Sequence, residues 1–93
     1  MKKFFYRVKA GDSIISVSKK FGVPTMPLVF DNRLSREIKS GDILLICERE
    51  RVYEVEPLDT LDSISNKLCV PIERLSYLNG GITYVFYGLI LTY

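Results

Sequence analysis

Displacing this 93-residue sequence by 47 positions lays its second half on its first without a gap. Tyr6 then meets Tyr53, Val8 meets Val55, Asp12 meets Asp59, Ser16 meets Ser63, Ser18 meets Ser65 and Lys20 meets Lys67. Further along, Val23-Pro24 coincides with Val70-Pro71, Leu28 with Leu75, Asn32 with Asn79, Gly41 with Gly88, and Ile43-Leu44 with Ile90-Leu91. Conservative pairs fill the intervals, among them Ser13/Thr60, Ile14/Leu61, Val17/Ile64 and Phe21/Leu68. Self-similarity of this length means that one small folding unit occurs twice. Each copy has about 40–45 residues, near the lower limit for a core without metal or disulfide. Either each copy closes a compact core behind well-specified turns, or the two share burial by packing on each other.

Within the first copy, Phe4, Tyr6 and Val8 alternate in an aromatic and β-branched run, which predicts a strand over 4–9. Ala10-Gly11-Asp12-Ser13 is a turn in which Asp12 or Ser13 caps a following helix. Ile14, Val17 and Phe21 recur at helical spacing, and Gly22 stops the helix. Val23-Pro24 separates a second helix, with Thr25 as its cap, Pro27 in its first turn and its end near Asn32. The loop Arg33 to Lys39 is polar with apolar anchors at Leu34 and Ile38. Ser40-Gly41-Asp42 then turns the chain into a strand, Ile43-Leu44-Leu45-Ile46. The second copy repeats this order with a strand over 51–56, a cap at Asp59 or Thr60, a stripe Leu61, Ile64, Leu68, a helix over 72–79 and a closing strand over 89–93. The fold class expected is α+β: two βααβ modules, 4–47 and 51–93, each a two-stranded antiparallel sheet packed against two helices. Glu48-Arg49-Glu50 connects them.

The net charge of +2 conceals an asymmetry. Residues 1–46 carry nine basic and four acidic side chains, +5, and residues 47–93 carry four and seven, −3. Opposite signs on two copies of one fold favour their contact, within or between chains, and two solvated surfaces are the plainer alternative. Cys47 and Cys69 stand at non-equivalent positions without CxxC spacing, so free, partly buried thiols are expected. Arg7 and Lys9 interrupt the N-terminal apolar run before it reaches the length of an export signal, and no stretch is long enough to span a bilayer. With no histidine, no Gly-x-Ser-x-Gly elbow, no Gly-rich phosphate loop and no metal cluster, neither enzyme chemistry, a cofactor nor a metal is expected. A sustained basic stripe for nucleic acid is also missing.

Tyr6-Arg7-Val8, Gly11-Asp12-Ser13-Ile14, Phe21-Gly22-Val23, Leu28…Asn32 and Gly41-Asp42-Ile43-Leu44-Leu45-Ile46 resemble, in order and spacing, the lysin motif (LysM) family. The second copy keeps Tyr53-Glu54-Val55, Asp59-Thr60-Leu61, Val70-Pro71, Leu75…Asn79 and Gly88-Leu89-Ile90-Leu91. It departs from the pattern at Leu58 and Cys69, where the pattern has glycine. The resemblance implies non-catalytic binding of a polymer containing N-acetylglucosamine, bacterial peptidoglycan first and chitin second. It places one site at Gly11, Asp12, Ser13 and Ile14 facing Asn32, Arg33, Leu34 and Ser35. The other falls at Asp59, Thr60 and Leu61 facing Asn79, Gly80, Gly81 and Ile82. Asn32 and Asn79 have a second reading, as buried amides tying the loop to the helix end. A spore-envelope or cell-wall setting fits such a ligand without an export signal. The alternative function is a protein–protein module in a larger assembly, spore envelope or phage, with self-association or a protein partner at Tyr84, Phe86 and Tyr87.

Overall fold

The computed structural model describes residues 2–93, and the element order is the repeated one. The first unit comprises β1 (Lys3–Arg7), α1 (Ile14–Phe21), α2 (Thr25–Asp31) and β2 (Ile43–Cys47); the second comprises β3 (Val52–Glu54), α3 (Leu61–Leu68), α4 (Ile72–Leu78) and β4 (Ile90–Thr92). β1 pairs with β2 antiparallel, Phe4 opposite Ile46 and Tyr6 opposite Leu44, and β3 pairs with β4, Tyr53 opposite Leu91. The strands are shorter than the apolar runs in the sequence. Pairing nevertheless continues one step further, through Val8 N to Asp42 O and Val55 N to Leu89 O, both 2.8 Å. Each unit closes its own core. Val8, Val17, Val23, Leu28, Leu44 and Ile46 fill the first, and Val55, Ile64, Leu75, Leu89 and Leu91 are among those filling the second. No helix among the described residues is long and apolar enough to cross a membrane.

Local chemistry fixes the helix starts in both units alike. Ser13 is the N-cap of α1: its Oγ accepts from Ser16 N at 3.1 Å, and Ser16 Oγ accepts from Ser13 N at 2.8 Å. Thr60 and Ser63 build the same reciprocal box on α3. Two donors with no partner inside the helix are thereby satisfied. Asp12 and Asp59 are left free for other bonds. Thr25 does not cap α2; Pro24 holds that position without a side-chain bond, and Thr25 is the first helical residue. Asn32 ties α2 to the sheet, donating Nδ2 to Leu28 O and Leu45 O and accepting Leu45 N on Oδ1. Asn79 repeats this with Leu75 and Thr92. Both thiols are free, Cys47 buried and Cys69 exposed.

The units dock through unlike surfaces. The corner between α1 and α2 of the first unit meets β4 of the second. Ile90 N donates to Thr25 Oγ1 at 2.9 Å, and Thr25 Oγ1 lies 2.8 Å from Ser18 Oγ, which donates to Val23 O. Since the Ser18 hydrogen goes to Val23, the Thr25 hydroxyl donates to Ser18, and the relay is complete. Repeat equivalence reveals what docking covers: Ile90 is 4 % exposed, whereas its counterpart Ile43 is 52 % exposed. Covering that side chain contributes about 1 kcal/mol. Pro24 is buried likewise, and its counterpart Pro71 is exposed. Gly80, with φ +83°, lets the Phe30 ring lie where a Cβ would stand. Arg49 pairs with Asp31 at 3.3 Å near the connector.

Candidate functional site

The turn after each first strand is built around one aspartate. Asp12 Oδ2 accepts from Tyr6 Oη at 2.6 Å and from Lys9 N at 2.9 Å. Lys20 Nζ sits 5.0 Å from the centre of the Tyr6 ring and 3.5 Å from its hydroxyl. Tyr53, Asp59 and Lys67 repeat the arrangement, with Lys67 Nζ 2.7 Å from Tyr53 Oη and 3.4 Å from Asp59 Oδ1. The Tyr6 hydroxyl first, and then the Lys9 amide, hold the Asp12 carboxyl below the usual carboxylate range. The Tyr53 hydroxyl, the Glu56 amide and Lys67 do the same for Asp59. Conversely, Tyr6 is raised, chiefly by its bond to Asp12, and Tyr53 by burial and its bond to Asp59. A carboxylate so held stays ionised at neutral pH and serves as an acceptor that shapes the turn, a poor general acid.

Beside each turn lies a cleft, at the same place in both units. In the first it measures about 280 Å³, with Asp12, Ser13, Ile14 and Ile15 on one side and Glu37 and Ile38 of the α2–β2 loop on the other. The second measures about 270 Å³, with Asp59, Thr60, Leu61 and Asp62 facing Thr83, Tyr84 and Val85, and Ile72 beside them. Offset by 47, every residue of the first cleft has its counterpart in the second, with Ile15 replaced by Asp62 and Glu37 by Tyr84, and the second adds Ile72 and Thr83. Both clefts combine aliphatic side chains with hydroxyl, carboxylate and backbone groups. That mixture suits a ligand carrying small apolar groups among hydroxyls and amides. Among the described residues no three His, Cys, Asp or Glu side chains gather as metal ligands would.

Of the residues singled out in the sequence, the structure brings Asp12, Ser13 and Ile14 to the first cleft and Asp59, Thr60 and Leu61 to the second. Gly11 stands in the preceding turn with φ +88°, and Arg33 has φ 49°. Asn32 and Asn79 turn their amides to the last strand of their units and line neither cleft. Leu34 packs on the first core and Ile82 on the second, while Ser35 is exposed. Gly80 and Gly81 line clefts at the junction of the units instead. The opposite wall comes from residues further along the loop, Glu37, Ile38, Thr83, Tyr84 and Val85. The signal for these was the aromatic substitution at Tyr84 and the apolar anchor at Ile38.

A family-wide pattern, that of the LysM domain, matches residues 6–46 and 53–83. The chain is also similar to "Putative sporulation-specific glycosylase YdhD" of Bacillus subtilis (strain 168), 38 % identical over 81 residues that take in 86 % of this chain and 19 % of that protein. Among solved structures, the Bacillus cereus spore cortex-lytic enzyme SleL is 27 % identical, with 99 % of this chain and 22 % of that one covered and a TM-score of 0.49. SleL of Bacillus megaterium QM B1551 is 26 % identical over 96 % of this chain and 22 % of that one, with a TM-score of 0.47. The chain spans about a fifth of the length of these proteins. The two matched segments together take in most of the sequence and fall one in each structural repeat, so this chain belongs to the LysM domain family, a family of binding domains.

Proposed function

We propose that this chain binds a glycan containing N-acetylglucosamine, bacterial peptidoglycan, without cutting it, through one shallow cleft on each of two modules spanning 4–47 and 51–93. One observation carries the reading: the two clefts recur at equivalent positions, each between the β–α turn and the loop before the last strand of its unit. An acetamido sugar presents a methyl group, an amide and hydroxyls. Ile14 and Ile38 receive the methyl in the first cleft, and Leu61 and Val85 receive it in the second. Backbone groups of the turns at 11–14 and 58–61 and of the loops bond the amide and hydroxyls. Tyr84 adds an aromatic face in the second cleft, where sugar rings stack. The named activity of the sporulation-specific relative, a glycosylase, favours a cell-wall glycan as the polymer. Each net hydrogen bond contributes only about 1 kcal/mol, so a single cleft binds weakly. Two clefts on one polymer gain through effective concentration, by roughly 10²–10⁴ where the geometry permits.

Titration with N-acetylglucosamine oligomers and with soluble peptidoglycan fragments, followed by amide NMR, tests this. Shifts at 12–15 with 37–38, and at 59–62 with 83–85, are expected. Silence at both clefts with every glycan would sink the proposal. A second reading, an assembly module, draws on the exposed ring patch of Tyr84, Phe86 and Tyr87. It predicts concentration-dependent shifts there without any glycan.

A further inference from the structure

The loop before β4 differs from its counterpart in the first unit in one consistent direction. In the first unit it is polar: Arg36 pairs with Asp42 at 2.9 Å, and Glu37, Lys39 and Ser40 are exposed. The equivalent residues are Thr83, Leu89, Tyr84, Phe86 and Tyr87. Leu89 is buried in the core of the second unit, whereas Tyr84, Phe86 and Tyr87 are exposed by 72 %, 47 % and 65 %. Lys19 of the first unit lies 5.3 Å from the centre of the Tyr87 ring, so contact between the units accounts for Tyr87 but not for Tyr84 and Phe86. On its far side from the second cleft lies another, of about 220 Å³, walled by Ile82, Tyr84, Phe86 and Leu89 and closed by Met26 of α2. Met26 is a second change in the same direction, because the equivalent residue of the other unit is Glu73. Thr83 and Tyr84 line both clefts, so the two adjoin across them. Neither hydroxyl has a partner among the described residues.

We infer that this junction cleft is an additional sugar subsite, built by both units, which takes the next acetamido-sugar ring of the strand held in the second cleft. The inference rests on the glycan reading above. Tyr84 stands between the two clefts as a stacking face, Met26, Ile82 and Phe86 meet the apolar side of the incoming ring, and Thr83 and Tyr84 bond its hydroxyls. The first unit has a charged loop at the corresponding place, and its cleft ends where the second continues. Extension of a single cleft by a further ring therefore belongs to the second unit alone and depends on a side chain of the first.

The test compares the trimer and the hexamer of N-acetylglucosamine on the full chain, read residue by residue from amide NMR. The trimer is expected to shift 59–62 and 83–85. The hexamer adds shifts at Met26, Gly81 and Phe86 and binds the second unit about five- to tenfold more tightly. Met26→Glu and Phe86→Ser, one on each wall, remove that gain and leave trimer binding unchanged. Phe86 is exposed, so its variant keeps the proposal testable if Met26→Glu disturbs docking. The gain persists in Ile14→Asp, which blocks the first cleft; its loss there would assign the gain to one strand spanning both clefts and overturn the inference. Shifts confined to the second cleft, with equal affinity for both oligomers, would overturn the inference and leave the glycan reading standing. Silence at both clefts overturns the two together. Shifts at 84–87 that follow protein concentration alone assign the patch to self-association and also overturn the subsite.

Discussion

Two side chains of the second unit sit in a conformation that favours glycine. Leu58 has φ 72° and is fully exposed, and Cys69, the C-cap of α3, has φ 58°. The left-handed region costs an L-residue about 1–2 kcal/mol, and part of that is offset by the chain entropy a glycine would lose on folding. Cys69→Gly and Leu58→Gly are each expected to stabilise the protein by about 0.5–1 kcal/mol, read as a higher urea midpoint at unchanged slope. The departures from the family pattern were legible at both positions, but the sequence did not reveal whether the backbone had relaxed to suit the new side chains. It has not. The paired aspartates set a pH dependence whose direction follows from their lowered values. A carboxyl held below its unfolded value stabilises the folded state above the ordinary carboxylate range and loses that contribution as pH falls through the folded value. Asp12→Asn and Asp59→Asn should each lower stability at neutral pH and shrink the further loss on acidification. A midpoint–pH profile checks this, and an unchanged acid limb in both variants would refute it.

At the scale of elements, the reciprocal caps are the features most amenable to measurement. Ser13→Ala and Thr60→Ala should each cost about 1 kcal/mol, seen by denaturation, because each removes a side-chain acceptor from a helix start. Helices and strands were readable because the repeat states every periodic pattern twice. Which of two adjacent residues caps was not, since aspartate and serine or threonine serve that role equally well. A longer-range bond decides it: Tyr6 and Tyr53 draw Asp12 and Asp59 back toward the first strand of each unit. The near wall of each cleft, on the turn, was legible for the same reason as the helix start. Its far wall was not, because Asn32 and Asn79 are committed to the edges of β2 and β4 and the cleft is closed further along the loop. Irregular loops carry no period from which their facing residues could be read.

Across the whole molecule, the docking of the units lies beyond what local patterns state. The charge asymmetry favoured contact, yet the contact formed joins apolar side chains with one buried hydroxyl relay, Lys19 over the Tyr87 ring and the ion pair at Asp31. Thr25→Val keeps the shape and leaves Ile90 N without its acceptor. The expected cost is about 1–3 kcal/mol. Calorimetry of that variant should show the single transition of the parent giving way to two as the units uncouple; one unshifted transition would argue against the relay as their link. The docking pairs a corner with a strand, so it has a direction. Exchanging the order of the two units behind the same short connector would set Ile72, which has no hydroxyl, against the amide of Ile43. Each half would still fold, but they would hang side by side as beads. Duplication made the two copies interchangeable, and their contact has since made one a plug and the other its socket.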